Sequence, residues 1–106
     1  MTTPTADWVQ RIMLLRLLSV EMLELARANG WDAVIEWEAK RRALLDELFQ
    51  QTPPAALAPL LEDAIRATLA SDARLLELAR AEMDKLGDFL KSFGQGRRAR
   101  HAYQSF

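Results

Sequence analysis

The sequence predicts an all-α protein, an antiparallel three-helix bundle with a long third helix and a short C-terminal helical tail. Two observations lead there. Apolar residues recur at spacings of three and four through three long segments, and none of these shows the strict alternation of a half-buried strand. Glycine and proline, which punctuate regular structure, gather between the segments: Pro4, Gly30, the Pro53-Pro54 pair with Pro59, and Gly94 with Gly96. Gly87 alone falls inside one. The chain has 106 residues, 50% of them hydrophobic and 27% charged, which is enough apolar material to offset the entropy of ordering one domain. Residues 1–93 are expected to form the bundle, and 94–106 a flexible tail or short fourth helix.

The first helix is expected to begin near Thr5. Its hydroxyl would cap the free amides of the first turn, Pro4 would block extension backwards, and Asp7 would complement the positive helix end. It should stop at Asn29-Gly30. Trp8, Ile12, Leu15, Met22 and Ala26 form one stripe along it, and Leu14, Leu17, Leu18 and Leu25 widen that stripe beyond what a single neighbour covers. The second helix is read from Asp32, as N-cap, to Gln50, because Thr52-Pro53-Pro54 removes amide donors and disfavours α geometry before it. Val34, Trp37, Leu44, Leu45, Leu48 and Phe49 are expected to face inward. The very short Gly30 connection makes these two helices antiparallel neighbours.

Pro59 suits the first turn of a third helix, whose periodicity runs through Leu61, Ile65, Leu69, Leu76, Ala79, Met83, Leu86, Leu90 and Phe93. From residue 58 to residue 90 it would span roughly 50 Å, against roughly 36 and 28 Å for the first two helices. Its C-terminal part is therefore expected to overhang its partners. Met83, Leu86, Phe89, Leu90 and Phe93 would then lack intrachain cover, and flexible methionine among large apolar groups suits a groove that accepts an amphipathic partner helix. In the tail, Ala99, Tyr103 and Phe106 recur at spacings of four and three behind Gly94 and Gly96. That small face is expected to fold back on Met83, Leu86 and Leu90 as a tethered competitor; a frayed terminus is the plainer alternative.

Lys and Arg total 14 against 15 Asp and Glu, so no global field draws in nucleic acid or anionic membrane. The clusters Lys40, Arg41, Arg42 and Arg97, Arg98, Arg100 are short, and acidic partner helices fit them better than a nucleic acid does. Without cysteine there is no disulfide or thiolate metal site. The N-terminus has no basic signal-like region and no apolar run reaches bilayer length, so the expected location is the cytoplasm. Catalysis needs converging reactive groups, yet the single histidine is His101 in the tail, no glycine-rich phosphate loop follows a strand, and no Glu-x-x-His pair suggests a metal centre. No enzyme and no cofactor are expected. Glu38, Arg42 and Asp72 lie on otherwise apolar stripes; either they pair inside the interface and fix helix register, or their long side chains escape to its rim.

Several pieces of the chain, in this order and spacing, resemble the FliT family of flagellar export chaperones. They are Gly30-Trp31-Asp32 after a leucine-rich first helix, Glu38 with Arg42 and Leu45 in the second, and Ile65, Leu69, Asp72 and Leu75-Leu76 in the third. Arg97-Arg98-Ala99 leading to Ala102-Tyr103 completes the set. The resemblance implies a cytoplasmic chaperone for the flagellar filament-cap protein, which holds that protein's C-terminal segment and engages the export ATPase machinery. It also implies, for some members, binding of the flagellar master transcription regulator and lowered flagellar gene expression. A different class, a non-catalytic homodimerisation module whose exposed stripe pairs with a second copy, is the alternative on the residues alone.

Overall fold

The structure is a computed structural model that describes the backbone of residues 4–104 and the burial of residues 5–92 and of Gly94. It contains three α-helices, α1 (Pro4–Arg27), α2 (Trp31–Phe49) and α3 (Ala58–Gln104), with a 3-10 turn over Ala55–Leu57 ahead of α3. Among the described residues there is no strand. The chain divides into two compact units, Met1–Leu76 and Glu77–Phe106.

The first unit is the bundle. Its core gathers Trp8, Ile12, Leu15 and Leu18 of α1, Leu44 and Leu48 of α2, and Leu61 and Ala64 of α3, with Trp37, Leu45, Leu57, Leu60 and Ile65 packed around them. Ile12, Leu15, Met22 and Leu48 are almost wholly shielded, and each such side chain contributes about 1.5–3 kcal/mol by leaving water. α1 and α2 run antiparallel, since Arg11 pairs with Glu47 at 2.9 Å near one end and Ser19 meets Arg41 farther along.

The helix ends follow from local chemistry. At the end of α1 the Gly30 amide donates to the Leu25 carbonyl at 2.8 Å and the Asn29 amide to Ala26 at 3.1 Å, the reciprocal pair that closes a Schellman cap. Asn29 takes the left-handed conformation this cap requires, with φ 62°. At Gly30 the constraint is space instead: a Cβ there would stand 3.3 Å from the Leu25 carbonyl oxygen, a tight approach that a small backbone shift would have to relieve. Before α3, Pro54 accepts a bond from the Leu57 amide at 2.9 Å and so starts the short turn.

Several expected boundaries and faces are corrected. Pro4 is already helical, so Thr5 lies within the first turn rather than capping it. Gly30, not Asp32, is the N-cap of α2, and Asp32 sits in the first turn where its charge complements the helix dipole. Leu14 and Leu17 of α1, Phe49 of α2, and Leu69 and Leu76 of α3 are exposed rather than inward. The side of α3 that is buried carries Leu61, Ala64, Thr68 and Ser71. Small residues there let the helices approach closely, and that turns the larger Leu69 and Leu76 outward. α3 also does not end near Phe93, but continues without a break through Gly94 and Gly96 to Gln104. A glycine costs about 1 kcal/mol inside a helix relative to alanine, which flanking helix formers such as Arg97, Arg98 and Ala99 offset.

Candidate partner-binding surfaces

A polar cluster lies where the three helices of the first unit meet. Arg41, whose side chain is only 6% exposed, reaches from α2 to donate through Nη2 to the Asp72 carboxylate and through Nη1 to the Ser19 hydroxyl at 3.1 Å. The Ser19 hydroxyl donates back to the Leu15 carbonyl at 3.2 Å, and the Ser71 hydroxyl donates to the Ser19 carbonyl at 3.3 Å. The guanidinium is thus desolvated but held by a charged partner and a hydroxyl, which is what makes a buried cation tolerable. Of the three polar residues that the sequence singles out, Asp72 meets this seam from its rim, and its partner there is Arg41. Glu38 and Arg42 pair with each other instead, at 2.6 and 2.8 Å, on an exposed i,i+4 face. The Glu38 hydrogen bond and charge hold the Arg42 guanidinium above its usual pKa. The cluster ties the three helices together at one level, with Arg41 buried and the Asp72 carboxylate partly open to solvent.

In the second unit, α3 exposes Met83, Leu86, Phe89 and Leu90 by between 55% and 71%. Their spacings of three, three and one place them on one broad apolar side, with Asp84, Asp88 and Lys91 on the opposite side and Lys85 at its edge beside Phe89. The remaining expected site residues, Phe93 and the tail's Arg97, Arg98, Ala99, Tyr103 and Phe106, lie outside the described side chains, and Phe106 outside the described backbone.

The first unit also carries exposed apolar side chains. Met13, Leu17 and Val20 line the outer side of α1, opposite its buried stripe. Beside Val20 a groove of about 410 Å³ opens between α1 and α3, lined by Arg16, Ser19, Val20 and Leu23 on one wall and Ala67, Ala70 and Ser71 on the other. This surface was missed from sequence. Its signal was that α1 is apolar on nearly all sides, which was read as a wide core-facing stripe.

Among the described residues no group of three or more histidine, cysteine or carboxylate side chains converges to hold a metal. No helix among them is long and apolar enough to cross a membrane. No solved structure matches the chain. Among known protein families, the one described as flagellar protein FliT matches residues 9–105, nearly the whole length, so the match takes in both the bundle and the exposed apolar side of α3. The chain is accordingly a flagellar protein and belongs to the FliT family.

Proposed function

We propose that this protein is a cytoplasmic flagellar export chaperone, not an enzyme, that holds the C-terminal segment of the filament-cap protein and delivers it to the export ATPase machinery. The observation that supports this most is the apolar side of α3 bearing Met83, Leu86, Phe89 and Leu90, four large side chains each more than half exposed on one element. Exposed apolar residues concentrated in this way mark a protein-binding surface, and an amphipathic segment laid along them would cover them. In this reading Phe93 extends the same row. Binding of the flagellar master transcription regulator, with lowered flagellar gene expression, belongs to the same proposal as a second role.

The test is titration of the full chain with a synthetic peptide of the filament-cap C-terminus from the same bacterium. Leu86→Ala or Leu90→Ala should weaken binding by about 2 kcal/mol, as loss of a central anchor does, and should leave the thermal transition unchanged. Unchanged affinity sinks the proposal. A tight dimer by sedimentation that covers these same residues decides for the homodimerisation module.

The tail, with Arg97, Arg98, Ala99, Tyr103 and Phe106, is proposed as a competitor for this row. Because α3 is helical through Gly94 and Gly96, the tail reaches Met83 and Leu90 only if the helix opens at those glycines. A chain ending at Phe93 should then bind the peptide more tightly by about 1 kcal/mol, the docking energy of so small a face, and Tyr103→Ala should recover part of the gain. Equal affinities for the full and shortened chains, both helical by circular dichroism, decide against competition.

A further inference from the structure

The outer side of α1 has no role in that reading. Met13, Leu17 and Val20 follow at spacings of four and three and are each more than half exposed. They form one continuous ridge beside the groove between α1 and α3. The groove is walled by Val20, Leu23, Ala67 and Ala70, and the two alanines of α3 leave it open to a side chain from outside. Arg16 stands in the same wall. In the first unit Arg11, Arg27, Arg41, Arg42 and Arg66 each have a carboxylate partner, whereas Arg16, like Arg80 in the second unit, has none among the described residues. Its helical neighbours at three and four residues, Ile12, Met13, Ser19 and Val20, supply no acid. Of the carboxylates farther along α1, Glu24 is engaged by Arg27, and Glu21 lies about 140° around the helix from Arg16, outside the groove lining.

We infer that this face is a second docking site, for an acidic amphipathic helix of another protein. An apolar side chain of that helix enters the groove, its neighbours one turn away cover Met13 and Leu17, and a flanking Glu or Asp pairs with Arg16. The charge argues against a second copy as occupant. Arg16 lies midway along the ridge from Met13 to Val20, so a two-fold contact centred there sets the arginine of one chain against the arginine of the other. A partner carrying carboxylates at that level turns the same arginine from an obstacle into a selector.

The experiment uses the full-length protein and two designed 18-residue helical peptides with the same leucine stripe, one flanked by glutamates and the other by lysines. Methyl NMR titration reads the site and calorimetry the affinity. The acidic peptide should bind about threefold more tightly than the basic one, the range of an exposed ion pair. It should shift the methyl signals of Met13, Leu17, Val20, Leu23, Ala67 and Ala70. Arg16→Glu should reverse the preference, and Ala70→Phe, which fills the groove from an exposed position, should weaken both peptides at least tenfold while the circular dichroism spectrum stays the same. Leu86→Ala should leave this binding untouched, which separates it from the filament-cap site. Equal affinity of the two peptides, no binding, shifts confined to Met83–Leu90, or self-association that covers the α1 methyls would each overturn the inference.

Discussion

At Arg41 the chain places a guanidinium where the helical pattern calls for an apolar side chain. Val34, Arg41, Leu44 and Leu48 are the buried residues of α2, and their spacings of seven, three and four are an unbroken helical stripe. The stripe was legible in the sequence only to a reader prepared to count an arginine as part of it. A search for apolar residues alone passes over Arg41 and settles on Arg42, one position and about 100° away. Ser19, set within the apolar stripe of α1, and Ser71, at the same level on α3, were the available hints that a buried donor needed acceptors there. The pair predicts an asymmetry. Asp72→Ala leaves the buried guanidinium with only the Ser19 hydroxyl and should lower stability by about 2 kcal/mol, less than a fully buried pair because Asp72 is 45% exposed. Arg41→Met instead replaces the cation by an apolar chain of similar length and leaves Asp72 able to solvate, so its loss should be clearly smaller. Urea denaturation of both variants measures this, and equal losses would mean that packing, not charge, dominates the site. Arg42→Ala, on the solvated face, should not move the midpoint.

The helices themselves were legible wherever a local signal carried them. The end of α1 at Asn29-Gly30, the stop at Thr52-Pro53-Pro54 and the start of α3 at Pro59 are chemical constraints on the backbone, and sequence expresses them directly. What sequence could not express was which side of α3 would be buried. Leu69 and Leu76 are the larger apolar groups, but Ala64, Thr68 and Ser71 permit the closer approach, and close packing decides the interface. The end of α3 was misread for a related reason. Gly94 and Gly96 lower helix propensity without forbidding a helix, and no φ at the described glycines is positive. At Gly87 and Gly94 an added Cβ would meet nothing within 4 Å, so neither glycine is demanded by packing within the chain. Gly87→Ala and Gly94→Ala should therefore each stabilise this stretch of helix by about 1 kcal/mol. Slower amide exchange through residues 85–96 would show it. If tail competition operates by opening at Gly94, the Gly94→Ala chain should also bind the filament-cap peptide more tightly, and a loss of affinity would place the glycine in the binding surface instead.

On the scale of the whole molecule, the core cluster lies in one unit and the proposed client surface in the other. Every residue of the core cluster, and every member of the Ser19, Arg41, Ser71 and Asp72 network, lies in Met1–Leu76. Among the described residues beyond Leu76 no apolar side chain is buried, and the row from Met83 to Leu90 is exposed along a continuous helix. Such a division is what a chaperone of this kind needs, because a binding element of low intrinsic stability can adapt to a client without unfolding the scaffold. It also means that stability and binding should separate on truncation. A chain ending at Leu76 should keep a single cooperative unfolding transition and the near-ultraviolet dichroism of Trp8 and Trp37, while losing affinity for the filament-cap peptide altogether. Its urea m-value should fall little from that of the full chain, since m follows the surface exposed on unfolding and, among the described residues, no buried apolar side chain lies beyond Leu76. Loss of cooperativity in the shortened chain would show that the later part of α3 supports the bundle, and would return Met83, Leu86 and Leu90 to a structural role. Retained peptide affinity would move the client to the exposed apolar side chains of the first unit, among them the ridge and groove beside Val20, Ile35 and Phe49 of α2, and the outward Leu69 and Leu76.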